Sequence, residues 1–427
     1  MRREYCYYDL FPRVVPANRR VVLTLRPLFP DWRWPAEAEY DITLYSLNES
    51  AALGPARFTL RPQGGALCFA HTFGGEGEYM LILETSPAEQ GRTGAEFHLY
   101  ALEEDLLPLW PYKGDFHLHT YYSDGLESPA YVAARCREIG MDFIAITDHR
   151  RYAPSLEAIR AFADVPLDMR LYPGEEVHPP ECSVHMVNFG GSFSLNERFS
   201  QASYRAEVED LARRLPAPPA GVDPLQYAAC VWCFRRIREG GGLGIFCHPY
   251  WIAGRRFDVP EALTGYLLET QPFDALELIG GYTLAEAEAN MLQVARYAEE
   301  RARGREIPIV GASDSHGCER GEFFGWYYTI VLAPSPELPD LTAGIKGLRS
   351  VAVEALPGQM PRAHGPFRLV RYAQFLLREI LPLHDALVAQ EGRLMREYLA
   401  GKAEAVPALA ACQGHAAGLY AHLWAGA

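Results

Sequence analysis

Over roughly the first hundred residues, apolar and polar positions alternate with a period of two. In EYDITLYSL, Ile42 and Leu44 fall on one face and Asp41, Thr43 and Tyr45 on the other, the pattern of a strand with one buried side. ARFTLRP, ALCFAHTF, GEYMLILET and AEFHLYAL follow, separated by Gly, Pro and Asn turn signals. The spacing predicts a small β-sandwich over residues 1–109, with Pro108 and Pro111 in LLPLWPYKG marking its end. From Gly114 the period changes, and short apolar runs alternate with amphipathic segments. GDFHLH, FIAITDH, MRLYPGEEV, HMVNFG, GLGIFCH, ALELIGG and IPIVGASD make seven candidate parallel strands. Ser128-Pro129 opens a helix with a capping hydroxyl and a proline at its first position, and Gly140 closes it. This alternation of β and α predicts a barrel or a doubly wound sheet over residues 110–360. Residues 192–228 interrupt it with a helix at ASYRAEVEDLARRL, expected to cover part of the domain, and residues 361–427 read as appended helices.

Composition narrows the partners. The chain has 427 residues, 49% hydrophobic and 22% charged, as a globular protein does. Its 54 acidic against 40 basic side chains leave a net charge of −14. That balance argues against a bulk grip on nucleic acid or an anionic membrane. No apolar run approaches the ~18–20 residues of a membrane span, and the opening MRREYCYYDLFPRVV lacks the apolar stretch of a secretory signal. Nine cysteines, scattered and odd in number, do not read as a disulfide framework. Cys230 and Cys233 form a lone CxxC inside an amphipathic helix and read as buried thiols. The expectation is a reduced, cytoplasmic protein.

The chemistry lies in the strand ends. His117 and His119 are two apart on a strand, so both imidazoles point to one side and can reach one metal. Asp124 follows in the next loop. His149 ends ITDH, Glu175 and Glu176 sit in PGEEV, His185 opens HMVNFG, His248 ends GLGIFCH, and Asp314 and His316 close IPIVGASDSH. Seven of the thirteen histidines lie between 117 and 316. Each motif alone is weak, but the ends of barrel strands converge on one face. Imidazoles and carboxylates gathered there without metal would leave poorly satisfied polar groups. A polynuclear metal site is the expectation. Nitrogen and oxygen donors without thiolate suit zinc, manganese or iron.

HLHT with a downstream SDG, TDH, GxE, a mid-chain His, HP and GxSDxH, in that order, resemble the polymerase and histidinol phosphatase (PHP) family of metal-dependent phosphoesterases. The resemblance covers about residues 112–335 and extends towards 360. It implies an α/β fold, a distorted seven-stranded (β/α) barrel of PHP type, holding about three divalent ions. The preceding β-domain is similar to that of carbaryl-hydrolase-like members. Carried over by motif, the ligands are His117, His119, Asp124, His149, Glu176, His185, His248, Asp314 and His316. The family's Gly-x-Glu spacing selects Glu176 over Glu175. By the same resemblance Glu176 bridges two ions, one also held by His117, His119 and Asp314 and the other by His185 and His248. Asp124, His149 and His316 hold the third. His178 maps to no ligand position, and Asp115 and Asp148 are expected to orient imidazoles.

Three such ions against three carboxylates leave a cationic pocket, which suits a small anionic substrate. A metal-bound water would be the attacking group, with His117, Glu176 and Asp314 placing the ions. Phosphate specificity would call on guanidinium groups, and Arg150, Arg151, Arg255 and Arg320 lie near the motifs. Tyr250 and Trp251 flank His248 and suit either a pocket wall or the core. The leading expectation is a phosphoesterase (a phosphoric ester hydrolase) acting on a small phosphorylated metabolite. Two alternatives stand beside it: a carbamate or ester hydrolase of the same superfamily, and a non-catalytic binding protein stabilised by metal.

Overall fold

The period-two pattern of the first hundred residues becomes two layers of strands. The computed structural model describes residues 3–48, 54–84, 95–319 and 323–426. It divides into two compact units: Met1–Trp110 with Val370–Leu387 and Gly414–Ala427, and Pro111–Leu369 with Val388–Gln413.

The first unit carries β1 (Tyr8–Phe11), β2 (Val14–Pro16), β3 (Arg20–Pro27), β4 (Tyr40–Ser46), β5 (Ala56–Leu60), β6 (Leu67–Thr72), β7 (Gly77–Leu83) and β8 (Ala95–Leu102). One sheet runs β1-β3-β6 and the other β2-β8-β7-β4-β5. Leu10, Leu23, Leu25 and Phe69 from the first share a core with Ile42, Leu44, Leu81 and Phe97 from the second, the packing of a β-sandwich. The last residues of the chain join it: Val14 bridges Trp424, and Ala425 donates its N–H to the Val14 carbonyl at 2.8 Å.

The later elements begin with β9 (Trp110–Asp115), α1 (Pro129–Glu138), β10 (Phe143–Ala145), α2 (Ala153–Ala161), β11 (Arg170–Tyr172), β12 (Gly174–Val177) and β13 (Met186–Phe189). Next come α3 (Ala202–Arg214), α4 (Pro224–Glu239), β14 (Leu243–Phe246), a hairpin of β15 (Ile252–Ala253) and β16 (Arg256–Phe257), α5 (Glu261–Thr270) and β17 (Ala275–Ile279). Then follow α6 (Leu284–Ala287), α7 (Asn290–Ala302), β18 (Ile309–Gly311), β19 (Tyr327–Ala333), α8 (Leu338–Lys346), β20 (Ser350–Glu354) and β21 (Arg362–His364). Helices α9 (Phe367–Phe375), α10 (Leu381–Leu399), α11 (Ala405–Cys412) and α12 (His415–Leu423) end the chain. The α1 start is capped as the sequence predicts, with the Ser128 hydroxyl accepting from the Tyr131 N–H and Pro129 in the first turn.

The fold is mixed α/β. Each of the seven anticipated segments contributes to a strand, but β9 ends at Asp115, so His117 and His119 lie just past it and not on the strand, and the strands are not one parallel set. Pro173 splits MRLYPGEEV into β11 and β12, which belong to different sheets: β11-β10-β9-β19-β20-β21 and β12-β13-β14-β17-β18. The β12–β13 and β13–β14 pairs are antiparallel, while β9–β10, β10–β11, β14–β17 and β17–β18 are parallel. Residues 178–185 between β12 and β13 are too few for a parallel crossover, which takes about a dozen. The two sheets meet through the isolated bridges Leu118–Ser315 and His149–Glu176, so continuous ladders do not close a seven-stranded barrel among the described residues.

The 192–228 excursion contains the expected helix, α3. It packs on α4, with Tyr204 edge-on to Trp232 at 4.9 Å, and places Tyr204 and Val208 in one core with Cys230, Cys233 and Phe234. Both cysteines of the CxxC are buried and free. Residues 361–427 do not make a separate extension, being divided between the two units. No described helix is long and apolar enough to cross a membrane.

Candidate metal centre

The carboxyl ends of β9, β10, β12, β14 and β18, together with His185 just before β13, bring the motif residues to one place. Strand alternation decides between the adjacent glutamates. Glu175 points away, where its carboxylate accepts from Ser194 Oγ at 2.7 Å, Asn196 Nδ2 at 2.9 Å, Asn188 Nδ2 at 3.3 Å and the Leu195 N–H. Glu176 points into a ring of histidines. Its Oε2 lies 3.5 Å from His117 Nε2 and 3.6 Å from His119 Nε2, and touches His149 Nδ1. Its Oε1 lies 2.7 Å from His185 Nδ1 and 3.6 Å from His248 Nε2.

Asp314 closes the ring from the end of β18, its Oδ1 2.6 Å from His119 Nε2 and 3.2 Å from His117 Nε2. Asp124 faces His316 Nε2 at 3.2 Å and His149 Nε2 at 3.3 Å. Its loop folds tightly against the HLHT segment, where a Cβ at Gly125 would sit 2.6 Å from the His119 carbonyl carbon, so only glycine fits. His248 and Asp314 hold positive φ, 23° and 49°, a strain that persists only where the surroundings over-determine it.

Several of these carboxylate–imidazole contacts are short, yet they lack hydrogen-bond geometry. His117 Nε2, His119 Nε2, His185 Nδ1, His248 Nε2, both Glu176 oxygens and Asp314 Oδ1 are buried and make no hydrogen bond. Buried polar atoms in that state are costly, and a cation among them satisfies them together. The donor atoms form compact groups, each with its members within 4.8 Å of one another: His119, Asp124, His149 and His316; His117, Glu176 and His248; His117, His119 and Asp314. These groups hold eight of the nine residues singled out by sequence, and the ninth, His185, stands 2.7 Å from Glu176 Oε1; nitrogen and oxygen donors of this kind fit divalent metal.

The electrostatics point the same way. Burial alone lowers the pKa of His117, yet Asp314 and Glu176 outweigh it and hold the imidazole well above its ordinary value. His149, facing Asp124 and Glu176, is held at about 10 against the same opposing burial. Burial would raise Glu176 and Asp314, but the facing histidines keep both carboxyls below the usual range. His248 and His316 are likewise held above the ordinary imidazole value by facing carboxylates, whereas burial keeps His119 below it.

Three placements differ from expectation. Asp115 accepts from the His117 and Ser313 N–H groups at 3.1 Å each, and Asp148 from the Thr120 N–H, Thr120 Oγ1 and Ser123 Oγ; neither hydrogen-bonds an imidazole. They organise backbone and hydroxyls instead. The partner of His117 Nδ1 is Glu277, at 2.9 Å and fully buried on β17. His178, which maps to no ligand position by motif and is expected to be structural or to support the ligands, stands in the ring with Nε2 3.3 Å from Glu176 Oε2. Burial lowers its pKa to about 4.

A cavity of about 500 Å³ opens onto the ring, walled by Trp251, Ile252, Ala253, Tyr282 and Ala285 among others, with Asp258, Glu286 and Glu288. Trp251 stacks on His248 at 3.9 Å and Tyr282 lies over His316 at 4.0 Å, whereas Tyr250 is buried against Phe257. Arg150, Arg151 and Arg255 are exposed and absent from the described lining. Arg320 lies outside the described residues.

No protein-family model matches the sequence. The chain is 36% identical over 83 residues to the DNA polymerase/3'-5' exonuclease PolX of Bacillus subtilis, a stretch that is 19% of this chain and 15% of that protein. Among solved structures, it is similar to a two-domain protein of Bacteroides vulgatus containing a predicted PHP-like metal-dependent phosphoesterase. The TM-score is 0.40 and the identity 18%, over 58% of this chain and 66% of that one. A protein of Bifidobacterium adolescentis described provisionally as a metal-dependent phosphoesterase gives a TM-score of 0.33 at 21% identity, over 49% of this chain and 89% of its own.

Proposed function

We propose that this protein is a metal-dependent hydrolase that cleaves a phosphoester in a small metabolite. The observation that carries the reading is the ring of buried nitrogen and oxygen atoms around Glu176 and Asp314 that face one another without hydrogen bonds. His117, His119 and Asp314 would hold one ion, His185 and His248 a second with Glu176 between them, and Asp124, His149 and His316 a third. In this reading β9, β10, β12, β13, β14, β17 and β18 are the staves of a distorted barrel, closed through the bridges Leu118–Ser315 and His149–Glu176. Zinc, manganese or iron, when bound, supplies an activated water and a clamp on the attacking and leaving oxygens. The protein's own residues set the geometry: Glu277 orients His117, and Ser123 lies 3.3 Å from His119 Nδ1, bracing the second imidazole. Trp251 and Tyr282 bound a cavity of a size suited to a small molecule.

One observation favours a second reading. The described lining holds no guanidinium and several apolar groups, which suits a carbamate or carboxylic ester. Protein loaded in turn with zinc, manganese and iron is to be assayed against phosphomonoesters, phosphodiesters, carbamates and esters. Metal-dependent phosphoester turnover, abolished in Asp314→Asn, is the expected result. Turnover confined to carbamates or esters would select the second reading. No turnover in protein shown to hold ions would overturn both and leave a metal-stabilised binding protein.

A further inference from the structure

His178 has no counterpart in the ligand set implied by motif, yet its position is that of a ligand. It follows Glu176 by two residues, and the period of an extended chain turns both side chains to the same side. Its Nε2 stands 3.3 Å from Glu176 Oε2 and 3.0 Å from His149 Nδ1. The donor atoms of His149, Glu176 and His178 lie within 4.8 Å of one another, as compact a set as those formed by the other motif residues. The ring is fixed from two sides, packed on His185 at 4.0 Å and edge-on to His149 at 4.9 Å. Its main chain is fixed too: the His178 N–H donates to Asn196 Oδ1 at 3.2 Å, while Asn196 Nδ2 donates to the Glu176 carbonyl at 2.9 Å.

A hydrogen bond to His149 alone would account for one contact. It would not account for the shared approach to Glu176 Oε2, which accepts no hydrogen bond. His149 also presents two nitrogens to two donor sets, Nε2 towards Asp124 and Nδ1 towards Glu176 and His178. A neutral imidazole offers a metal one nitrogen, so a ligand beside Nδ1 decides which set His149 joins.

We propose that His178 is a metal ligand, sharing an ion with Glu176 and with His149 through Nδ1, so that His149 joins this set in place of the Asp124 and His316 set given above. The proposal rests on the metal-centre reading above. It is tested by stripping the protein with chelator and titrating it with Co²⁺, reading the ions retained after gel filtration and the visible absorption of the bound ion. His178→Ala is expected to lose one tightly held Co²⁺, or to bind one at least about tenfold more weakly, with a changed absorption band. Added imidazole, filling the space left by the side chain, is expected to restore the band, which a folding defect would not permit. Wild-type protein that binds Co²⁺ and a His178→Ala protein with the same count, affinity and spectrum would overturn this proposal alone. Wild-type protein that binds no Co²⁺ would overturn the metal centre and the proposal with it.

Discussion

Glu277 shows how a single side chain can govern a site it does not enter. Its carboxylate accepts from His117 Nδ1 at 2.9 Å, which fixes the tautomer that leaves Nε2 free to face Glu176 and Asp314. Glu277→Ala is therefore expected to weaken metal binding about 10- to 100-fold. Glu277→Gln, whose amide oxygen still accepts from Nδ1–H, is expected to lose less. A chelator-competition titration of both variants checks the order. The motif residues were legible because each is a metal-binding type placed at a strand end. Glu277 was not, because it belongs to no spaced motif. Its signal was a charge inside ALELI, a strand otherwise wholly apolar and wholly buried. Asp115 and Asp148 misled for the opposite reason: sequence adjacency to His117 and His149 says nothing about which way a carboxylate turns.

At the scale of elements, the strands were readable and their pairing was not. Apolar runs announce a strand, but direction depends on the connection. The eight residues between β12 and β13 could have warned that this pair would be antiparallel. Strands β19 and β20 extend the first sheet beyond the motif-bearing part and were not anticipated. The contact between α1 and α10 was also hidden, since it joins segments some 250 residues apart in which only a glycine hints at close approach. A Cβ at Gly392 would fall 2.2 Å from the Glu138 nitrogen and 2.5 Å from its Cα, backbone atoms with no freedom to yield. Beside it Arg137, buried, is held by Glu391 at 2.6 Å and Asp142 at 2.9 Å. Gly392→Ala is expected to destabilise the second unit by about 1–3 kcal/mol through overpacking, read as a lowered denaturant midpoint, with the number of bound ions unchanged.

For the whole molecule, the net charge of −14 says little about the candidate centre, where Asp124, Glu176 and Asp314 face a ring of histidines. The division into units could not be seen in the linear pattern. The C-terminal segment reads as appended helices, but nothing in its pattern reveals that residues 370–387 and 414–427 belong with the first strands. Within that unit His422 Nε2 lies 3.1 Å from Asp9 and the Arg13 N–H donates to the Leu423 carbonyl at 2.7 Å. Removing residues 414–427 is expected to open the β-sandwich to protease while the second unit keeps its ions, measured by limited digestion alongside metal analysis. The return of Trp424 to Val14 also bears on how the protein is made. Domains synthesised first ordinarily fold first as the ribosome releases them. Here the second unit has all its residues once Gln413 has emerged, whereas the unit that opens the chain still awaits its last segment. Birth order and completion order are thereby reversed, the sandwich being complete only after residues 414–427 have been made.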